Sequence, residues 1–322
     1  MKLNSTNILM FYILMIGVII SVSSNNWMMM WSGLEISLMS FIPLMSGGVT
    51  GSESSMKYFI VQSISSSMLI VSILMMVSLN LLYNFIFLTS LILKMGVAPL
   101  HNWVLSIINS LNYTMIFILL SIMKIAPLVM LSFLNCYNDL FIIFSLLVGS
   151  LFSLNQNSIR KLLAYSSIYN MGYIISCINL NSIWMTYLFI YSFILILFIF
   201  LIFKMKINYL NQFVINEQSM ILKMNLSISM LSLGGLPPLL GFFPKFVVFQ
   251  MMILKKMLLI IFFMISTSLL VMFFYMRMMF LMFLNYSTTM KILIKMYPKF
   301  SVWSVFLNLN TFPFIISLKY YI

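Results

Sequence analysis

Charged residues are scarce in this sequence, and their scarcity excludes most protein classes. Only 7% of the 322 residues are charged, whereas 63% are hydrophobic. Soluble domains carry about 25% charged residues, so a soluble globular protein is excluded. Disorder is excluded because disordered chains are rich in charge and poor in apolar residues. A mean hydropathy of +1.13 leaves an all-α, polytopic membrane protein.

Cysteine and histidine are also rare, with 2 Cys and 1 His in the chain. Cys136 and Cys177 form no metal or disulfide framework; they are two isolated thiols or, alternatively, one bridge. The sequence has no glycine-rich nucleotide loop and no pair of intramembrane histidines for haem. We therefore expect no cofactor, no metal and no redox chemistry in this chain. The aromatic and Met residues are expected to pack or to face lipid.

Eleven apolar segments are predicted to be transmembrane helices, since about 20 apolar residues span the hydrocarbon core. The connections between them are mostly short and rich in Asn and Ser, so residues 1–322 are predicted to form a single membrane domain. The predicted segments are 5–23, 27–46, 56–79, 84–108, 114–134, 140–155, 159–178, 183–203, 223–254, 257–284 and 301–318.

Two of these segments contain Gly and Pro and should be broken. The fourth is interrupted at Gly96–Pro99 and the ninth at Gly234–Pro238, where Pro removes a backbone donor. Each break falls in the fourth member of a group of five segments. We therefore predict two inverted five-helix repeats, 1–134 and 140–284, followed by a C-terminal helix at 301–318. Paired breaks of this kind point to a transport path.

The basic residues indicate orientation rather than a nucleic-acid partner, because most lie at the ends of apolar runs. Ten are assigned to the side of the N terminus and three to the other side, which predicts that the N terminus faces the compartment of protein synthesis. The ten are Lys2, Lys57, Arg160, Lys161, Lys204, Lys206, Lys223, Lys291, Lys295 and Lys299, and the three are Lys255, Lys256 and Lys319.

Four charges lie deep within apolar segments: Glu35, Lys94, Lys124 and Lys245. Each costs about 2.5–3.5 kcal/mol on insertion scales, and such residues usually mark ion or proton pathways. We interpret the four as a proton relay. The alternative is a salt bridge between Glu35 and one lysine, with the other two lysines snorkelling to the membrane surface.

His101 follows the first break, and two roles are open for it. We include it in the proton relay, where it passes protons between two half-channels; the alternative is a neutral imidazole that satisfies carbonyls freed by the break. Gln62 and the neighbouring serines are expected to tie helices together, with a wet path as the alternative. These serines are Ser63, Ser65, Ser66 and Ser67.

The sequence resembles the antiporter-like membrane subunits of mitochondrial NADH:ubiquinone oxidoreductase, respiratory complex I, which are similar to Mrp-type cation/proton antiporters. The abundance of Met, Ile, Phe and Asn is typical of an AT-rich animal mitochondrial genome, so an arthropod source is expected. The resemblance covers about residues 27–250 and is carried by residues 33–35, 41–44, 57–59, 94–103, 124–127, 155–156, 160–168, 232–242 and 244–245.

The resemblance implies roles for the buried charges. Glu35 and Lys94 match the family's carboxylate–lysine pair, Lys124 the central lysine and Lys245 the terminal lysine. Asn170 replaces a His that the family often carries, and Leu105-Ser106 replaces a Pro-acidic pair.

The resemblance also implies partners and a location. The partners are other complex I membrane subunits, including neighbouring antiporter-like subunits, and phospholipids. Flavin, Fe–S clusters and ubiquinone belong to partner subunits, and protons move from the matrix to the intermembrane space of the mitochondrial inner membrane. The alternatives are a free-standing cation/proton antiporter and a non-pumping structural spacer.

Overall fold

The structure is a computed structural model that describes residues 5–77, 83–134, 138–179, 183–215 and 220–283. Every regular element in these ranges is a helix, as expected where backbone polar groups must be satisfied without water. The helices are α1 (Ser5–Ser23), α2 (Trp27–Met45), α3 (Gly48–Val77), α4 (Tyr83–Met95), α5 (Asn102–Ile108), α6 (Tyr113–Leu120), α7 (Ile122–Ser132), α8 (Asp139–Leu154), α9 (Ile159–Ser176), α10 (Ile183–Met205), α11 (Asn211–Ile215), α12 (Met220–Gly234), α13 (Phe242–Leu254) and α14 (Leu258–Phe283).

Six stretches of the described residues are long and apolar enough to cross a membrane. The prediction of a helical protein with several membrane spans is therefore confirmed for these residues, whereas the count of eleven spans and the inverted repeats stay predictions. The segment 301–318 and Cys136 lie outside the described residues. The six are α1, α2, residues Gly48–Met76 of α3, the stretch Tyr113–Ser132, α10 and α14.

The chain divides into two compact units, Met1–Phe141 and Ile142–Ile322. In the first unit α1 lies along α2, and α7 contacts α1, α2 and α4. In the second unit α12 contacts α10 and α14. Nearly all of α9 is buried, as expected of a helix at the core of a membrane bundle. The glycine-proline break between α4 and α5 lies in the first unit, and the one between α12 and α13 lies in the second.

Both predicted breaks are present. Residues 96–101 separate α4 from α5, and residues 235–241 separate α12 from α13. Gly96 and Gly235 have φ angles of +68° and +86°, a left-handed conformation that glycine adopts without the steric penalty of a Cβ atom. The second break begins one residue later than predicted, because Gly234 is still the last residue of α12.

Two predicted spans are present, but their helices differ from the prediction in detail. The segment predicted at 114–134 is divided at Ser121 (φ −122°, ψ −71°) into α6 and α7. There Ser121 Oγ donates to Phe117 O at 2.6 Å, a local hydrogen bond that competes with the helical ladder. The segment predicted at 56–79 already begins at Gly48, because hydropathy does not detect its polar first turns.

Two glycines bring α1 and α2 into close contact. A Cβ atom at Gly33 would lie 2.7 Å from Gly17 O and from Ser21 N. A Cβ atom at Gly17 would lie 2.8 Å from Gly33 O. Small residues of this kind allow helix backbones to approach closely in membranes. The contact fixes the part of α2 that carries Glu35.

Candidate functional site

Glu35 on α2 and Lys94 on α4 form an ion pair. Lys94 Nζ lies 3.5 Å from Glu35 Oε1, and the side chains of Lys94 and Glu35 are 3% and 22% exposed. A buried charge is costly unless it is paired, so the carboxylate compensates the ammonium group of Lys94. The sequence analysis gave a salt bridge between Glu35 and one lysine as the alternative to a relay. The structure contains this salt bridge, and the lysine is Lys94.

Lys94 also lines a cavity with Lys124 of α7, and the polar side chains of Tyr58 and Gln62 line it as well. The cavity volume is about 20 Å³, and roughly 10–15 Å³ is enough for one water molecule. Lys124 is 5% exposed, and among the described residues it forms no salt bridge. We call Glu35, Lys94 and Lys124 the first lysine site.

Side chains of α3 and α5 close the first break. Gln62 Nε2 donates to Lys94 O at 3.2 Å, and Trp103 Nε1 donates to Leu93 O at 3.0 Å. These carbonyls lie at the end of α4, where the helical ladder no longer supplies donors. Gln62 therefore ties two helices, as predicted. The serines instead donate to carbonyls of their own helix, three residues earlier; these are Ser63, Ser65, Ser66 and Ser67.

His101 lies just before α5, and its Nδ1 is 3.1 Å from Pro99 O. A carbonyl oxygen only accepts hydrogen bonds, so Nδ1 is the donor in this contact. The contact fits the second role considered for His101, an imidazole that satisfies a carbonyl of the break. The described residues that line the cavity of the first lysine site do not include His101.

Lys245 lies in the first turn of α13 and is 4% exposed. Its Nζ donates back across the second break to Gly234 O at 2.7 Å and to Leu233 O at 3.4 Å. These carbonyls end α12, and a helix C-terminus attracts cations. Lys245 belongs to the second unit of the chain, whereas the first lysine site belongs to the first unit.

A group of buried tyrosines near Lys245 was not recognised from the sequence. Tyr169 Oη donates to Tyr173 Oη at 3.0 Å, and Tyr173 Oη donates to Met264 O at 3.1 Å. Tyr187 Oη donates to Asn170 Oδ1 at 2.9 Å. The sequence feature that indicates this group is the polarity of α9. This helix is too polar to face lipid, so its tyrosines are expected inside the protein. These side chains pack in the interior, as predicted for aromatic residues, and their hydrogen bonds are the feature that the sequence analysis did not identify.

Lys223 on α12 is another buried charge that the sequence did not reveal. Counting basic residues assigned it to a membrane face, but the structure leaves it 5% exposed. Its position near the start of an apolar segment explains the assignment. Among the described residues, no three His, Cys, Asp or Glu side chains are grouped so as to hold a metal ion.

The sequence matches the family model described as NADH:quinone oxidoreductase/Mrp antiporter, transmembrane, over residues 24–271. Relatives named NADH-ubiquinone oxidoreductase chain 2 include the protein of Anopheles gambiae, 42% identical, with 78% of this chain and 77% of the relative covered. The protein of the same name from Locusta migratoria is 35% identical, with the same shares covered.

Two solved structures resemble the fold. A chain of respiratory complex I from Thermus thermophilus has a TM-score of 0.76 at 21% identity, over 87% of this chain and 71% of that chain. A chain of the Mrp complex from a Dietzia species has a TM-score of 0.75 at 16% identity, over 85% and 59%. Broken helices and buried lysines on this fold define an antiporter-like membrane protein. The chain belongs to the NADH:quinone oxidoreductase/Mrp antiporter family, among the NADH-ubiquinone oxidoreductase chain 2 proteins.

Proposed function

We propose that this chain is a proton-translocating membrane subunit of respiratory complex I. The observation that carries the proposal is the cavity shared by Lys94 and Lys124. Within the described part of the chain, Lys94 is the one of these two lysines that pairs with a carboxylate. Intramembrane ionisable residues are expensive and mark proton or ion pathways. A purely structural contact between these helices would be achieved at lower cost by Ser or Asn.

The proposed cycle begins at the ion pair. A conformational change in a neighbouring subunit separates Glu35 from Lys94, whose ammonium group loses the charge that compensates it. Lys94 then gives its proton, through water in the shared cavity, to Lys124. Among the described residues Lys124 forms no salt bridge, so neutral Lys124 accepts a proton without first breaking one.

The last steps take the proton through water to Lys245 and out of the membrane. This part of the proposal is supported by the burial of Lys245 and by its hydrogen bonds to two carbonyl oxygens. His101 is assigned to holding the first break rather than to the relay, because its Nδ1 bonds to Pro99 O.

The reaction coupled to this movement takes place in partner subunits. The relatives are named NADH-ubiquinone oxidoreductase, and we assign NADH oxidation, quinone reduction and their flavin and Fe–S cofactors to those partners. The chain thus acts as a subunit of a proton-translocating NADH:ubiquinone reductase in the mitochondrial inner membrane. Its direct partners are neighbouring antiporter-like subunits and phospholipids. The bias in basic residues favours an N terminus in the matrix and a C terminus in the intermembrane space.

The test is Lys124→Met in the assembled complex, reconstituted in sealed vesicles. Met is similar in length to Lys and keeps its apolar stem, but it has no group that takes up a proton. We expect normal assembly and a lower ratio of protons pumped per electron. NADH oxidation slows as well, because the coupled steps do not complete. Glu35→Gln acts in the same direction, since it removes the charge that holds Lys94.

Lys255→Met is the matched control, because Lys255 is an exposed lysine in the turn after α13. It should leave the proton-to-electron ratio unchanged. Unchanged ratios in both Lys124→Met and Glu35→Gln would contradict the proposal and favour a structural spacer. A chain that purifies from its native membrane as a monomer would instead favour a free-standing antiporter.

A further inference from the structure

The surroundings of Lys245 contain two aromatic rings as well as the carbonyls of the break. Lys245 Nζ lies 5.2 Å from the ring centroid of Tyr169 and 5.9 Å from that of Tyr173. Both distances fall within the roughly 6 Å over which an aromatic face attracts a cation. Both tyrosines are fully buried, and such attraction is strongest where water is excluded.

We propose that Tyr169 and Tyr173 are positioning residues whose ring faces hold the ammonium group of Lys245 against the broken end of α12. They do for Lys245 what the carboxylate of Glu35 does for Lys94. Among the described residues Lys245 forms no salt bridge, so carbonyl oxygens and aromatic faces supply the attraction. The inference rests on the proposed role of Lys245 in proton transfer.

The hydroxyl groups of the two tyrosines orient the rings and do not conduct protons. Met264 O only accepts hydrogen bonds, so the single hydroxyl hydrogen of Tyr173 is committed to it. Tyr169 must therefore donate to Tyr173, at 3.0 Å. A proton that followed this series would end at a backbone carbonyl, which has no proton to pass on. The ring faces are thus the parts of these side chains that act on Lys245.

Neighbouring helices fix the positions of both rings. A Cβ atom at Gly149 of α8 would lie 2.7 Å from Tyr169 Cβ and from Tyr169 N, so α8 contacts the backbone of α9 at this turn. The rings of Tyr169 and Tyr173 meet edge to face, with centroids 5.2 Å apart. Phe249 packs at right angles to Tyr173, 5.9 Å away. Because these contacts hold the rings, Lys245 does not have to order them when it docks.

The experiment compares Tyr169→Phe with Tyr169→Leu in the assembled complex, using the proton-to-electron ratio in sealed vesicles. Phe keeps the aromatic face and loses only the hydroxyl, whereas Leu loses both. We expect the wild-type ratio for Tyr169→Phe. For Tyr169→Leu we expect the ratio to fall to that of Lys245→Met. Tyr165→Leu is the matched control, since Tyr165 lies one turn away on α9 and stacks on Phe152; it should keep the wild-type ratio.

Each remaining result is decisive. Equal losses in Tyr169→Phe and Tyr169→Leu would assign proton transfer to the hydroxyl and overturn the inference. A wild-type ratio in Tyr169→Leu, with a reduced ratio in Lys245→Met, would overturn the inference alone. An unchanged ratio in Lys245→Met would overturn the proposed role of Lys245 together with the inference. If Tyr169→Leu does not assemble, Tyr169→Met replaces it, and failure of both would assign the ring a structural role.

Discussion

Glu35→Gln and Lys124→Met should change the stability of the folded chain in opposite directions. At the 3.5 Å separation of Lys94 Nζ and Glu35 Oε1, Coulomb attraction amounts to about 5 kcal/mol for an effective dielectric constant of about 20. Removal of one partner from a buried pair typically costs about 3–5 kcal/mol. Glu35 is 22% exposed, and partial solvation weakens the attraction. We therefore expect a loss of about 3 kcal/mol for Glu35→Gln.

The opposite sign is expected for Lys124→Met. Lys124 is 5% exposed and, among the described residues, forms no salt bridge. Its removal leaves no carboxylate without a partner and relieves a cost of about 2.5–3.5 kcal/mol. The variant should thus be more stable and less active than the wild type, a trade-off common to groups kept for function.

The assay is SDS-induced unfolding of the purified full-length chain in mixed micelles, with Lys94→Met and the double variant Glu35→Gln/Lys94→Met completing a cycle. The double variant should regain most of the stability that Glu35→Gln loses, because no unpaired buried charge remains. Destabilisation by Lys124→Met would show that Lys124 has a stabilising partner. An unchanged free energy of unfolding in Glu35→Gln would show that the ion pair contributes no net stability. Either of these two results would refute the reasoning.

Gly33→Ala should destabilise the chain by about 1–3 kcal/mol in the same assay, because a Cβ atom there would lie 2.7 Å from the backbone of α1. Gly47→Ala, with nothing within 4 Å of the new atom, should have little effect. Gly235→Ala should lower the proton-to-electron ratio, since it adds a Cβ atom 2.9 Å from the ammonium nitrogen that α13 brings to the break; a wild-type ratio would contradict this. For orientation, a membrane-impermeant thiol reagent should label Lys57→Cys from the matrix side and Lys255→Cys from the other; labelling of both from one side would contradict the predicted topology.

The sequence predicts those features that depend on local chemistry. The break at Gly96 was predictable because only glycine and proline interrupt a helix with so clear a signature. The burial of Lys124 was predictable because it lies near the middle of the apolar run 116–133, far from either end of its segment. The division at Ser121 carries no such signature, since serine inside a helix usually bonds to its own backbone without ending the helix.

Other features depend on residues distant in the chain. The hydrogen bond between Tyr173 and Met264 joins residues 91 positions apart, and no local pattern encodes that pairing. The pairing of Glu35 with Lys94 was implied only by the family resemblance; the residues alone left open which lysine Glu35 contacts, because a sequence does not give distances. Periodicity predicts which segments are helical, whereas the polar contacts within each unit depend on how the helices pack.

The lysines beside the two breaks have different partners, and helix electrostatics explains the difference. Lys94 lies in the last turn of α4, where the partial negative charge of the helix end favours a cation by about 0.3–1 kcal/mol. Lys245 lies in the first turn of α13, where the same effect is unfavourable, so its side chain reaches back to the carbonyls of α12, at 2.7 Å from Gly234 O. Gln62 and Trp103 close the first break and leave Lys94 free to pair with Glu35. In the second break Lys245 itself bonds to the carbonyl oxygens that end α12. A conformational change that separates α12 from α13 at this break must therefore also release Lys245.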